Sequence, residues 1–215
     1  AAAEEARFTR IKHSAGFPKE SIKFCLNEAN ISLNEINFIA LNRNPKNRIF
    51  NKLYYFIRNQ LKIKNFINRY KNFKKILSLE DEFLKHFPNV KHKIRKKIIH
   101  VDHHLAHAAS SIYSTNLNES NYITIDGFGD FLSTSVGVFK EDKIIKTNEV
   151  EFPHSLGLFY TSITQFLGFK NYGDEYKVMG LASYGKPTFL EKMSSVVTFD
   201  KEKLFKLNLD FFRHH

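Results

Sequence analysis

The chain has 215 residues, 42% of them hydrophobic, and 22 phenylalanines, which is enough to bury the core of one domain of ordinary size. No apolar run approaches the roughly 18 uncharged residues of a membrane helix, and the first residues lack the charged-then-apolar order of a signal peptide. Together with a single cysteine, Cys25, which excludes an intramolecular disulfide, this predicts a soluble, cytoplasmic protein.

The formal net charge of +11 comes from one segment. Residues 43–97 contain 17 Lys and Arg against three acids, whereas the rest of the chain contains 16 basic and 19 acidic residues. The same segment is rich in Asn, Ile and Phe and has no glycine. We predict a basic helical insertion over 43–97, and a nucleic-acid-binding module using it is one alternative for the function.

The first half of the chain is predicted to be mainly helical outside one strand. The chain begins at Ala1 without an initiator methionine, which predicts a fragment that lacks its own first strands. Pro18 opens a helix that ends near Asn30, and an apolar strand follows at 36–41. Two or three helices are expected in the basic segment, where apolar residues recur at helical spacing.

The second half alternates strands and helices, as an α/β domain does. We predict strands at 97–101, 122–126, 133–139 and 144–150, helices at 103–113 and from Ser155 through Phe166, and a glycine-punctuated loop at 168–185. The strand that ends at Asp126 is expected to be followed by a tight acidic glycine turn and a hairpin. The predicted fold is an actin-like or sugar-kinase-like (ribonuclease H-like) mixed sheet with flanking helices.

A metal site is predicted at His103 and His107. Four positions apart on a helix, both imidazoles lie on one face, close enough to share an ion. Two histidines on a helix are also a common surface pair, so that alternative stays open. Asp102 and His104 could fix the tautomer and charge of the pair.

Asp126 is the expected third ligand, because a carboxylate at the carboxyl end of a strand lies where open α/β sheets bind ligands. Gly127 and Gly129 would let backbone N–H groups approach a phosphate. An ordinary Asp-Gly turn is the alternative for this sequence.

Two further groups of residues are candidates for substrate binding. Near the start, a short stretch of cations could hold an anionic group, and it contains Arg7, Arg10, Lys12 and His13. In the glycine-rich loop, Glu175 and Lys177 could contact either a ligand or only water.

Taken together, these residues resemble the carbamoyltransferases of nodulation-factor and antibiotic biosynthesis, whose first domain is related to the tRNA threonylcarbamoyladenosine enzyme. The matching blocks cover about half the chain in the family's order: EEARFTRIKHSAGFP (4–18), DHHLAHAASS (102–111), IDGFGD (125–130), FPHSLGLFYTSITQFLGF (152–169) and DEYKVMGLASYGK (174–186). The basic segment is not part of this signal. Ala6 departs from the third acid that the family often has in its first block.

The resemblance implies two active centres in a longer chain. A C-terminal adenylate-forming domain, absent here, would use ATP and carbamoyl phosphate to form carbamoyladenylate, and the N-terminal actin-like domain would transfer the carbamoyl group to a hydroxyl of a small-molecule acceptor. His103, His107 and Asp126 match the family's metal ligands, and Lys12 matches a lysine beside the substrate. The expected cofactor is a divalent metal, Fe²⁺ by preference, that acts as a Lewis acid.

The sequence therefore predicts an O-carbamoyltransferase whose fragment is incomplete for activity. We expect neither a membrane nor a nucleic acid among its partners. An ATP-dependent phosphotransferase of the same fold is the second alternative, because fold alone does not determine function.

Overall fold

The computed structural model describes residues 1–11, 16–58, 79–89 and 94–212 and divides the chain into two compact units. The first unit comprises Ala1–Leu41 and Leu53–His100, and the second comprises Asn42–Lys52 and Val101–His215. The insertion predicted over 43–97 is thus divided between the units, and its residues 59–78 and 90–93 lie outside the described residues. Within the described ranges, every helix is too short or too polar to cross a membrane.

The secondary structure mixes helices and strands, as predicted. The helices are α1 (Ala6–Thr9), α2 (Lys19–Ala29), α3 (Ile49–Arg58), α4 (Leu79–His86), α5 (His103–Ile112), α6 (Leu156–Phe166), α7 (Glu175–Ala182) and α8 (Leu190–Met193). The strands are β1 (Ile39–Leu41), β2 (Ile98–His100), β3 (Ser120–Gly129), β4 (Leu132–Lys140), β5 (Lys143–Glu151), β6 (Val197–Asp200) and β7 (Leu204–Leu207). The α/β class is confirmed, while the actin-like arrangement stays a prediction.

The first unit packs helices against a two-stranded parallel sheet. Strands β1 and β2 pair with Ile39 opposite Ile98, so the strands predicted at 36–41 and 97–101 exist but are three residues long. The Glu5 carboxylate accepts the backbone N–H groups of Glu20 and Ser21 at 3.2 and 2.8 Å. This acid, which belongs to the EEARFTR block, therefore caps the amino end of α2.

The second unit is built on an antiparallel sheet in the order β3–β4–β5. Strands β4 and β5 form the predicted hairpin, and its turn residues Glu141 and Asp142 both have positive φ, as a two-residue hairpin turn requires. Helix α5 packs on the sheet through a small buried core of Ala108, Ile112 and Phe139. A second core joins Val150 of β5 to β6 and β7, which form a hairpin in the tail where the sequence predicted nothing.

Strand β3 differs from the prediction at its end. It does not stop at Asp126 but continues to Gly129, with a register shift between Ile125 and Gly129. The tight turn instead consists of Asp130 and Phe131, whose φ angles are 52° and 76°. The ladder resumes after the irregularity, since Gly129 pairs with Leu132, and Asp126 is left inside a bulge.

The prediction of a loop over 168–185 is wrong, because this stretch contains helix α7. The buried Asp174 carboxylate accepts the Asn171 N–H at 3.1 Å and pairs with Lys177 at 2.7 Å at the start of this helix. Glu175 accepts a hydrogen bond from Thr161 of α6 at 2.6 Å. These contacts offset the poor helix propensity of Gly180, which the sequence prediction took as a sign of a loop.

Candidate metal centre

Helix α5 begins where the sequence places the histidine pair. The Asp102 carboxylate accepts the Leu105 N–H at 3.1 Å and so caps the helix. His103 is the first residue of the helix, and His107 follows one turn later on the same face. Their ring centroids are 4.6 Å apart.

Three possible metal-ligating atoms converge at this end of the helix. Nε2 of His103 lies 2.7 Å from Oδ2 of Asp126 and 3.0 Å from Nε2 of His107. Nε2 of His107 lies 3.6 Å from the same carboxylate oxygen. Two imidazole nitrogens and one carboxylate oxygen form a donor set that suits Zn²⁺ or Fe²⁺.

The bulge in β3 orients Asp126. Its Oδ1 accepts the N–H of the next residue, Gly127, at 2.6 Å, which leaves Oδ2 directed at the histidines. Burial by itself raises the pKa of Asp126, but the hydrogen bonds from His103 and Gly127 and the nearby imidazoles hold the pKa below its ordinary value. The carboxylate is therefore ionised at neutral pH and available as a ligand.

Two glycines leave the room that His103 and the backbone of Asp126 need in order to approach their neighbours this closely. A β-carbon on Gly129 would stand 1.9 Å from Cδ2 of His103, so only glycine leaves room for that ring. A β-carbon on Gly157 of α6 would stand 2.6 Å from the Asp126 carbonyl. Gly127 differs from both, since a β-carbon there would meet nothing within 4 Å.

Ser155 fixes the backbone around Asp126. Its hydroxyl is fully buried and lies 3.0 and 2.7 Å from the carbonyl oxygens of Asp126 and Gly127. The same oxygen accepts the Leu158 N–H at 3.0 Å and caps α6. One side chain thus begins the helix and holds the loop that carries the carboxylate.

Residues 1–215, the whole chain, match the family model described as Carbamoyltransferase N-terminus. The chain belongs to this family.

The chain is also similar to proteins of bacteria and archaea. The chain is 36% identical over 195 residues to the nodulation protein NolNO of Sinorhizobium fredii, covering 87% of this chain and 26% of that protein. It is 31% identical over 223 residues to the uncharacterized protein sll1178 of Synechocystis, covering 100% of this chain and 36% of that protein. An uncharacterized Methanocaldococcus jannaschii protein, MJ1051, is 32% identical over 183 residues, or 85% of this chain and 29% of its own length. The chain therefore spans about a third or less of the length of these relatives.

Asp102 and His104, expected to fix the tautomer and charge of the histidine pair, lie beside it but form hydrogen bonds with other residues. Asp102 caps α5 and accepts a hydrogen bond from Asn47 at 2.5 Å. The His104 ring is 1% exposed, and its Nδ1 is 2.8 Å from the Thr124 hydroxyl, so it packs between α5 and the sheet. Burial lowers the pKa of His104, which keeps it neutral.

Of the remaining predicted substrate residues, those that the structure describes are not part of the metal-ligand cluster. Lys12 and His13 lie outside the described residues. Glu175 and Lys177 contact Thr161 and Asp174 within the chain, as given above, and the contact with Asp174 raises the pKa of Lys177.

Residues 59–78 and 90–93 of the basic segment also lie outside the described residues, and the nucleic-acid alternative stays a prediction. Three of its described cations make contacts within the chain. Arg48 pairs with Glu149 and Glu151, while Lys52 and Lys97 donate to main-chain carbonyls.

Three groups that shape this site have no role that the sequence predicts. These groups are the main-chain carbonyl of Asn42, the carboxylate of Asp130 and the hydroxyl of Ser155. Asp130 could have been noticed, since an acid closes the glycine turn in IDGFGD. Ser155 was recognised only as the start of a helix. The role of a main-chain carbonyl cannot be recognised from the sequence, because every residue has one.

Proposed function

We propose that this chain is the carbamoyl-transferring part of a longer enzyme, and that His103, His107 and Asp126 hold a divalent metal there. The enzyme would move a carbamoyl group from carbamoyladenylate, made from ATP and carbamoyl phosphate, to a hydroxyl of a small-molecule acceptor. Membership of the carbamoyltransferase family supports the reaction class. The choice of carbamoyladenylate and of a hydroxyl acceptor follows from the resemblance of the sequence blocks.

The observation that carries the metal proposal is the convergence of three lone-pair donors on one point. The Nε2 atoms of His103 and His107 and Oδ2 of Asp126 all lie within 4.8 Å of one another. One proton would satisfy only one of these contacts, whereas one divalent cation satisfies all three. The set of two histidines and one carboxylate is typical of Fe²⁺ and Zn²⁺ sites that leave positions open for a substrate.

The exposure of the ligands favours a site that a substrate can reach. The side chain of His103 is 17% exposed, that of Asp126 is 38% exposed and that of His107 is 50% exposed. A bound metal would supply Lewis-acid stabilisation of negative charge on the leaving phosphate and the carbonyl oxygen. The ionised Asp126 and the imidazole of His107 form the exposed edge that the reacting group would approach.

In the proposed transfer, the acceptor hydroxyl oxygen bonds to the carbamoyl carbon as the bond from that carbon to the AMP phosphate breaks. AMP departs with the oxygen and the electron pair of the broken bond, and the hydroxyl proton passes to solvent water. The task of this chain is to orient the two reactants and to lower the cost of the charge that develops between them. A phosphotransferase of the same fold would give the histidine pair no comparable role.

Metal content of the full-length enzyme tests the proposal first. We expect close to one equivalent of iron or zinc by elemental mass spectrometry, and its loss in the His103→Ala/His107→Ala double variant. Equal and negligible metal in both proteins would overturn the metal assignment.

The transfer step is tested separately. In the full-length enzyme, His107→Ala should abolish carbamoyl transfer and leave adenylate formation, followed by pyrophosphate exchange, largely intact. Transfer by His107→Ala at a rate close to the unsubstituted enzyme would show that the assigned role is wrong.

A further inference from the structure

The segment Asn42–Lys52 belongs to the second unit although the sequence places nearly all of it in the basic insertion. Its first residue contacts the metal-ligand cluster directly. The main-chain carbonyl oxygen of Asn42 lies 3.1 Å from Nδ1 of His103. We call Asn42–Lys52 the strap.

This contact determines which nitrogen of His103 carries the proton. A carbonyl oxygen has no proton to donate, so Nδ1 of the ring must be the donor. When a metal is bound, the one proton of the neutral ring stays on Nδ1, and Nε2 is the nitrogen left to ligate the ion. Nε2 lies 2.7 Å from Oδ2 of Asp126, on the side of the ring where the other two candidate ligand atoms converge.

A shared carboxylate connects the strap to the start of helix α5. Oδ2 of Asp130 accepts the Asn44 N–H at 2.9 Å and the His103 N–H at 3.0 Å. Because one oxygen atom serves both backbones, it sets the distance between the Asn42 carbonyl and the His103 ring. Asp130 holds this position with a left-handed backbone, φ 52°.

A second contact lies one residue before His103. Nδ2 of Asn47 donates to Oδ2 of Asp102 at 2.5 Å, while Oδ1 of Asp102 caps the helix. The Asp102 carboxylate thus both caps helix α5 and binds the strap.

The far end of the strap is held by charge. The Arg48 side chain is 14% exposed, and its guanidinium donates through one Nη to Glu149 and through the other to Glu151 of β5. Asn51 adds a hydrogen bond to Glu151 at 2.7 Å. Burial raises the pKa of Glu149, but hydrogen bonds from Lys146 and Arg48 hold it below the ordinary value, so the carboxylate stays charged.

From these contacts we infer that the strap is a positioning element for the metal centre, in which the Asn42 carbonyl fixes His103 as its Nδ1–H tautomer and presents Nε2 to the ion. This inference rests on the proposed metal site and deepens it. Loss of the hydrogen bond that a ligating histidine makes to its surroundings commonly lowers metal affinity by about tenfold to a hundredfold. Asn47 and Arg48 act through His103 and are positioning residues.

The test opens the strap with an isosteric change in the full-length protein. Asn47→Asp puts a carboxylate against Asp102, and repulsion should move the strap away from His103. Adding Asp102→Asn restores a donor and an acceptor with the roles exchanged, and the new amide oxygen still caps α5. Asn148→Asp on β5 is the matched control, since this half-buried asparagine bonds Glu202 outside the strap.

The probe is Co²⁺, whose visible absorption reports both affinity and ligand geometry. We expect Asn47→Asp to weaken Co²⁺ binding by about tenfold or more and to alter the spectrum, and the double variant to recover both. Asn148→Asp should match the unsubstituted protein. A folded Asn47→Asp protein with unchanged Co²⁺ affinity and spectrum would overturn the inference.

A second measurement does not depend on metal. Nitrogen chemical shifts of selectively labelled histidine should show a protonated, hydrogen-bonded Nδ1 of His103 in the metal-free protein and the loss of that signature in Asn47→Asp. If the Nδ1 signal changes in this way but Co²⁺ does not bind even the unsubstituted protein, the strap stands and the proposed metal site fails. If Co²⁺ binds through His107 and Asn47→Asp changes neither readout, the metal site stands and the positioning role is wrong.

Discussion

Gly129 and His103 approach each other so closely that a β-carbon on Gly129 would stand 1.9 Å from Cδ2 of the imidazole. Gly129→Ala should therefore push the His103 ring out of place and weaken metal binding by about tenfold or more, as loss of a ligand's orientation does. Isothermal titration with Zn²⁺ measures the effect. Gly127→Ala, where a β-carbon meets nothing within 4 Å, is the control and should bind normally. Equal affinities in the two variants would contradict the packing.

The buried hydroxyl of Ser155 should be important for both stability and the site. Ser155→Ala removes the α6 cap and the hydrogen bonds to the Asp126 loop, and we expect a loss of about 1 to 3 kcal/mol in the free energy of unfolding. Urea denaturation with circular dichroism provides the measurement. Ser162→Ala on the same helix removes only a hydrogen bond to the Leu158 carbonyl and should cost clearly less. A Ser155→Ala protein as stable as Ser162→Ala would show that the cap is dispensable.

His104 should make stability depend on pH. Burial lowers its folded-state pKa below the ordinary histidine value of 6.5, so below that pH the unfolded chain binds a proton that the folded chain does not. The stability that a neutral His104 supplies is thus complete above pH 6.5 and is lost as the pH falls toward the lowered pKa. In urea denaturation at a series of pH values, His104→Asn, which keeps a donor for Thr124, should show a shallower decline. Parallel curves for the two proteins would rule out this linkage.

Arg48 should stabilise the second unit through its two carboxylate partners. Arg48→Ala leaves Glu149 and Glu151 without this partner, and since both remain partly exposed we expect a loss of about 1 to 3 kcal/mol at neutral pH. Because the folded-state pKa of Glu149 is lowered, this stabilisation is present above the ordinary value of 4.5 and disappears as the pH falls through the lowered pKa. Thermal unfolding of both proteins at neutral and acid pH measures the difference, which should shrink in acid. A difference that does not change with pH would argue against the charge pairing.

The sequence predicted the histidine–carboxylate cluster because local rules determine its parts. Helical spacing puts His103 and His107 on one face, and the alternation of strand and helix brings Asp126 of the next strand near them, although β3 continues past it. The bulge that aims Asp126 could not be predicted, since it depends on how β4 pairs with β3 across the Asp130 turn. Helix α7 was missed for a similar reason, because its stability comes from Asp174 and from a contact with α6.

The strap was beyond prediction for a different reason. Its contact with His103 uses a main-chain carbonyl, which every residue type has, from a residue 61 positions earlier. Its sequence is also basic and asparagine-rich, so its composition placed it with the insertion.

The strap lies far in sequence from the residues that it contacts, and these separations predict the order in which the site assembles during folding. Asn44 meets Asp130 across 86 residues, and Arg48 meets Glu149 and Glu151 across 101 and 103. Helix α5 and the β4–β5 hairpin need only neighbours close in the chain and should form within microseconds, whereas the strap closes a long loop whose entropy cost delays it. The histidines would therefore share a helix face early in folding, and His103 would acquire its final orientation in one of the last steps.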